Sequence, residues 1–84
     1  MNKDEIAAQL ADEVSKRFGL PKSKITPDLD FTKDVNADSI DFVELVMELE
    51  DRYDIEISDD DAAKLITFQS TVDYLYDHAS KKAS

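Results

Sequence analysis

Residues 35–45 read Val35-Asn36-Ala37-Asp38-Ser39-Ile40-Asp41-Phe42-Val43-Glu44-Leu45 and set a serine between two aspartates where a helical period begins. From Ser39 to about Tyr53 the chain uses strong helix formers and contains neither Gly nor Pro, which predicts a helix over that span. On a wheel of 3.6 residues per turn, Phe42, Leu45, Val46, Leu49 and Tyr53 fall on one side and are expected to face a core. Asp41, Glu44, Glu48 and Asp51 form a stripe opposite. Ile40, Val43 and Met47, spaced i, i+3, i+7, make a smaller apolar strip along one border of that stripe.

Outward from this helix, the flanks predict three more. Ile6, Leu10, Val14 and Phe18 recur at helical spacing with Ala7 and Ala11 beside them, behind an Asn2/Glu5 start signal of the capping-box kind. Gly19, then Leu20 and Pro21, reads as the stop, so a helix spans about residues 3 to 18. Residues 19 to 37 show no helical period and read as a crossover anchored by Ile25, Leu29, Phe31 and Val35. Ser58 before three aspartates caps a short helix carrying Ala62, Ala63, Leu65 and Ile66. Thr67 caps a last helix in which Phe68, Val72, Leu75 and Ala79 share a face, with Lys81 and Lys82 opposing its negative end. The expected fold class is all-α: a small four-helix bundle, three longer helices and one short, around one core. The whole chain, 1–84, reads as a single domain with an ordered core over about 3–79.

Charge narrows the partners. Ten basic residues against twenty acidic ones give a formal net charge of −10. Such a surface repels nucleic acid phosphates and anionic membranes and attracts basic protein patches or, weakly and diffusely, divalent cations. Self-repulsion also predicts a fold less stable at low salt. Eleven of the acids but only one base, Arg52, fall within residues 38 to 61. A face kept for solubility would mix signs and gain i,i+4 pairs. Like charge beside exposed apolar residues fits a docking surface, in which Asp41, Glu44, Glu48 and Asp51 steer and Ile40, Val43 and Met47 form the buried centre. No apolar stretch is long enough to span a bilayer, and charged residues stand where a signal peptide would be apolar. The chain has no cysteine, hence no thiolate metal site and no cysteine nucleophile, which fits a cytoplasmic location.

Three chemistries compete for Ser39. A hydrolytic serine needs a neighbouring base and an oxyanion hole, yet the only histidine, His78, sits near the end of the last helix and reads as exposed. With the single glycine at position 19, no GxSxG elbow exists. A calcium loop fails as well, because neither Asp28-Leu29-Asp30 nor Asp59-Asp60-Asp61 carries the required glycine; no dedicated metal site is expected. A helix cap, worth about 1 kcal/mol, needs only one of Asp38 and Ser39. The other is left at the positive end of a helix, a place suited to phosphate. Asp38 and Asp41 repel a phosphate that merely arrives, so one attached covalently by another enzyme is the reading that remains.

The run Asp38-Ser39-Ile40-Asp41-Phe42-Val43-Glu44-Leu45-Val46-Met47-Glu48-Leu49-Glu50 closely resembles the Asp-Ser-Leu-Asp-x-Val-Glu-Leu core of acyl carrier proteins. The resemblance continues through Ile55-Glu56-Ile57-Ser58-Asp59-Asp60-Asp61-Ala62 and the final helix with Thr67, Val72 and Tyr74, covering nearly the whole chain. It implies a monomeric four-helix carrier, not an enzyme. A phosphopantetheinyl transferase would attach 4′-phosphopantetheine from coenzyme A to Ser39, giving an arm that carries acyl groups as thioesters. It implies further that Asp38, together with Asp41, Glu44, Glu48 and Asp51, meets basic patches on the transferase and on fatty acid synthesis enzymes. Leu45, Val46, Leu49, Ile57, Ala62, Leu65 and Tyr74 would line a sleeve for the acyl chain, whose burial is worth roughly 0.8 kcal/mol per methylene. Ile40 for the usual Leu, Val35-Asn36 for Leu-Gly, and Ser58 for Pro are departures from the family pattern. The alternatives are a carrier for polyketide, specialised lipid or aminoacyl groups and, from another class, an unmodified acidic interaction module.

Overall fold

The computed structural model describes residues 2–34 and 39–83, with Ser39 and residues 80–83 as backbone alone. The anchor expected at Val35, the turn at Asn36, the acid at Asp38 and the side chains of Lys81 and Lys82 lie outside the described residues. Four α-helices follow in order: α1 (Lys3–Phe18), α2 (Ser39–Tyr53), the short α3 (Asp59–Ala62) and α4 (Phe68–Ala83). Among the described residues, a single 3-10 turn, Lys22–Lys24, interrupts the crossover between α1 and α2. The chain is an all-α four-helix bundle with three long helices and one short.

Helix α1 begins where Asn2 Oδ1 accepts the Glu5 N–H at 2.8 Å, satisfying one orphan donor of the first turn. It ends at Gly19, whose φ of 68° is left-handed backbone open to glycine without a Cβ penalty. Ile6, Leu10 and Val14 are fully buried, and α1 packs chiefly on α4 and also on α2. Tyr53 ties α2 to α1 by donating its hydroxyl to Gln9 Oε1 at 2.7 Å.

Helix α2 closes on a left-handed residue that is not glycine. Asp54 has φ 54°, and the Ile55 N–H reaches back to the Glu50 carbonyl at 3.1 Å, the long bond of a Schellman motif. Glu50 secures the same turn with its side chain, Oε2 accepting the Ile57 N–H at 2.8 Å. This acid therefore works inside the fold. Left-handed backbone costs a non-glycine residue, least for Asn and Asp. Asp54→Gly is thus expected to raise the unfolding free energy by about 0.5–1 kcal/mol in urea titration.

The crossover is held by backbone bonds. The Phe31 N–H donates to the Ile66 carbonyl (2.8 Å), the Phe68 N–H to that of Leu29 (2.9 Å) and the Gln69 N–H to that of Pro27 (3.1 Å). Leu29 and Phe31 thereby drop into the core, and Ile25 packs against it. Asp30, paired with Thr67 in an isolated antiparallel bridge, accepts hydrogen bonds from the Thr32 hydroxyl and N–H. Those bonds hold its carboxyl below the usual range.

Helix α3 is shorter than its sequence suggests. Ser58 Oγ accepts the Asp61 N–H at 3.1 Å, but the helix stops at Ala62. Lys64 and Leu65 then donate to the carbonyls of Asp61 and Ala62, the i→i+3 bonds of a tightening turn. That tightening sends Leu65 into the core and leaves Ile66 exposed. At the start of α4, Thr67 and Ser70 cap each other: Thr67 Oγ1 accepts the Ser70 N–H and Ser70 Oγ the Thr67 N–H, both at 3.1 Å. Phe68, Val72 and Leu75 are buried, with Ala79 packed beside them. The one buried polar side chain among the described residues, Thr71, donates its hydroxyl to the Thr67 carbonyl at 2.9 Å.

Candidate functional site

Helix α2 divides its faces as the wheel predicts, with one refinement. Leu45, Val46, Leu49 and Tyr53 are buried, whereas Ile40, Val43 and Met47 are 65%, 54% and 61% exposed. Phe42 is only half-buried: its ring lies 6.3 Å from that of Phe31, and its flank opens onto solvent-accessible space. Three large apolar side chains on one strip, each more than half exposed, are unlike the scattered exposure of an ordinary surface helix.

The acidic stripe is less free than its composition implies. Glu44 Oε2 lies 3.2 Å from Arg17 Nη1, and Glu48 Oε1 lies 4.0 Å from Arg52 Nη2, the latter an i,i+4 pair. The expectation that this face forgoes i,i+4 pairs fails at Glu48; the partner of Glu44 instead comes from another helix. Arg17 enters from α1, and sequence periodicity on α2 contains no trace of it. Asp41 is half-buried and Asp51 exposed.

Between α2 and the segment Ile57–Ala62 runs a crevice of about 140 Å³. Phe42, Val43, Val46 and Met47 line it from α2, Ile57 and Ala62 from across, and Glu50 and Asp59 are its charged members. Of the residues expected to shelter an acyl chain, Val46, Ile57 and Ala62 are on this crevice. Leu45, Leu49 and Leu65 lie in the closed core, each at most 3% exposed. Tyr74 packs at the core margin and donates its hydroxyl to Asp61 Oδ2 at 2.9 Å. Phe42, Val43, Met47, Glu50 and Asp59 were not expected there; only the position of α3 against α2 reveals them.

Desolvation, with the Asp61 carboxylate second, pushes the Tyr74 hydroxyl up to about 12. A raised acid pKa favours the folded state fully below the unfolded value near 10, and that contribution is lost as pH climbs through 12. The melting temperature is therefore expected to fall between pH 10 and 12, with a shallower slope in Tyr74→Phe when followed by circular dichroism.

His78 is not simply exposed. Its ring stacks on Tyr74 with centroids 3.8 Å apart, and Nδ1 lies 2.9 Å from the Tyr74 carbonyl oxygen. One ring nitrogen is thus committed to its own helix. Among the described residues no three His, Asp or Glu side chains are grouped to hold a metal ion. Hydroxyls at other element ends are engaged locally: Ser15 donates to the Leu20 carbonyl, Ser58 caps α3, and Ser70 pairs with Thr67. Ser39 is the first residue of α2, directly before the exposed strip, on the positive end of a fifteen-residue helix.

The described residues thus form a small helical bundle that presents an acidic, apolar-edged helix headed by serine. A family profile described as "Phosphopantetheine attachment site" matches residues 8–75. An acyl carrier protein of Lactobacillus johnsonii is 53% identical over 78 residues, spanning 93% of this chain and 98% of that one. One of Rubrobacter xylanophilus is 40% identical over 78 residues, 93% and 96% of the two chains. A solved structure of the acyl carrier protein from Enterococcus faecalis superposes with a TM-score of 0.81 at 38% identity, over 93% of this chain and 99% of that one. The chain belongs to the acyl carrier protein family, and the prosthetic group of that family is 4′-phosphopantetheine. A serine opening α2, an apolar strip beside it and an apolar crevice across it fit such a group. No helix among the described residues is long and apolar enough to cross a membrane.

Proposed function

We propose that this chain is a discrete carrier of fatty acid synthesis in the cytoplasm, one domain over 1–84, with Ser39 as its point of attachment. The observation that carries the reading is the place of Ser39: it is the first residue of α2, the one helix with an exposed apolar strip among the described residues. Ser39 acts as a substrate. Its oxygen takes the phosphopantetheinyl group from coenzyme A, the pyrophosphate bond breaks with release of adenosine 3′,5′-bisphosphate, and the serine proton leaves to a base on the transferase. The group supplies a thiol on a flexible arm, which a chain without cysteine lacks.

The remaining work falls to the chain's own residues. Asp38, Asp41, Glu44, Glu48 and Asp51 steer basic patches of the transferase and of the synthesis enzymes onto α2, while Ile40, Val43 and Met47 fill their apolar hollows. Val46, Ile57 and Ala62, with Phe42 and Met47, shield an acyl chain entering the crevice. Leu45, Leu49, Leu65 and Tyr74 line any deeper extension that opens by repacking. Weak divalent-cation binding follows from the charge of −10.

Incubation with coenzyme A, magnesium and a phosphopantetheinyl transferase, followed by intact mass measurement, tests the reading. One phosphopantetheine per chain is expected. No adduct with several transferases would overturn it.

A further inference from the structure

Arg17, in the last turn of α1, has a side chain only 24% exposed, and its Nε is buried without a hydrogen-bond partner. Its terminal nitrogens diverge, Nη2 lying 3.1 Å from Glu13 Oε1 and Nη1 3.2 Å from Glu44 Oε2. Glu13, 14% exposed, is also 3.9 Å from Arg52 Nη2. Glu44, Arg17, Glu13, Arg52 and Glu48 therefore form one ionic chain across α1 and α2, with three carboxylates shared by two guanidiniums. Along α2 it borders a shallow groove of about 370 Å³ lined by Arg17, Glu44, Met47, Glu48 and Asp51.

The two partners of Arg17 are not equivalent. Its pair with Glu13 is sheltered, where screening is weak, while Glu44 is 57% exposed and meets water and salt. When a cation from outside approaches Glu44, the outer contact is the one that yields, and Arg17 remains held by Glu13. We propose that Arg17 is a positioning residue that competes with docking partners for Glu44. It holds the carboxylate toward α1, partly cancels its charge, and makes each docking an exchange of one guanidinium for another cation. Exchange binds more weakly than new pairing and releases faster, which suits a carrier that must leave one enzyme for the next.

The inference rests on the carrier reading only for its purpose. Its test, binding of a phosphopantetheinyl transferase measured by calorimetry without coenzyme A, needs no modification of Ser39. Arg17→Gln is expected to tighten binding about two- to fivefold at low salt, the gain shrinking as salt rises. In turnover the same change appears in KM. Lys24→Gln makes an equal change of net charge on the 3-10 turn and is expected to act less. The decisive comparison is a double-mutant cycle, since contacting residues depart from additivity. Glu44→Gln should weaken binding more in the Arg17→Gln background than in the wild type.

Additive effects, or weaker binding by Arg17→Gln, would overturn the proposal. Should Arg17→Gln fail to fold by circular dichroism, Arg17→Lys takes its place. A single ammonium lacks the divergent donors that hold Glu13 and Glu44 together, so non-additivity of the same sign is expected. A wild-type chain that binds the transferase with this coupling yet is never modified would overturn the role of Ser39 instead.

Discussion

Leu45→Ala is expected to lower the unfolding free energy by about 3 kcal/mol, read as a lower urea midpoint with little change in slope. Leu45 is 1% exposed in the core cluster. Its loss removes transfer energy and leaves a cavity that α1 and α4, packed against each other, cannot readily close. A chain of 84 residues stands near the low end of about 5–15 kcal/mol of total stability, so much of the margin disappears. Val46→Ala, at the edge of the crevice, is expected to cost less than half as much, because space already lies beside it. Equal costs would mean that Leu45 also borders slack volume, and that the crevice extends deeper than its walls indicate.

Met47→Asp is expected to raise the transferase KM for this chain roughly tenfold or more while stability changes by less than about 0.5 kcal/mol. Met47 is 61% exposed, so the fold makes little use of it. It lines both the crevice and the shallow groove, at the C-terminal end of the strip formed with Ile40 and Val43. A carboxylate there would be desolvated on docking without a matched cation, which costs more than the lost apolar contact. Steady-state kinetics on the unmodified chain, paired with a melting curve, checks both halves. An unchanged KM would remove the apolar strip from the docking surface.

The helices were legible because their signals are local. Asn2, Gly19, Ser58 and Thr67 mark ends by capping chemistry that needs only neighbours in sequence. The exposed strip on α2 was legible from periodicity, since an apolar residue on the wrong side of a helix is visible without knowing its surroundings. What was hidden is non-local. The bonds joining Pro27, Leu29 and Phe31 to the turn before α4 use backbone groups that every residue possesses. The early end of α3 reflects the pull of Leu65 into the core, a tertiary demand that overrides helix propensity. Arg17 is one of two basic residues in the last turn of α1, and only the packing of α1 on α2 turns it toward Glu44. Charge counting on α2 alone therefore overstated how open the acidic stripe is.

The central claim is that one hydroxyl, that of Ser39, receives the prosthetic group. Peptide mapping by tandem mass spectrometry of transferase-treated chain, wild type beside Ser39→Ala, tests it most directly. A phosphopantetheine mass on the peptide containing Ser39, absent from Ser39→Ala while its circular dichroism spectrum stays helical, is the expected result. An adduct on Ser39→Ala, or on any peptide other than that one, would contradict it.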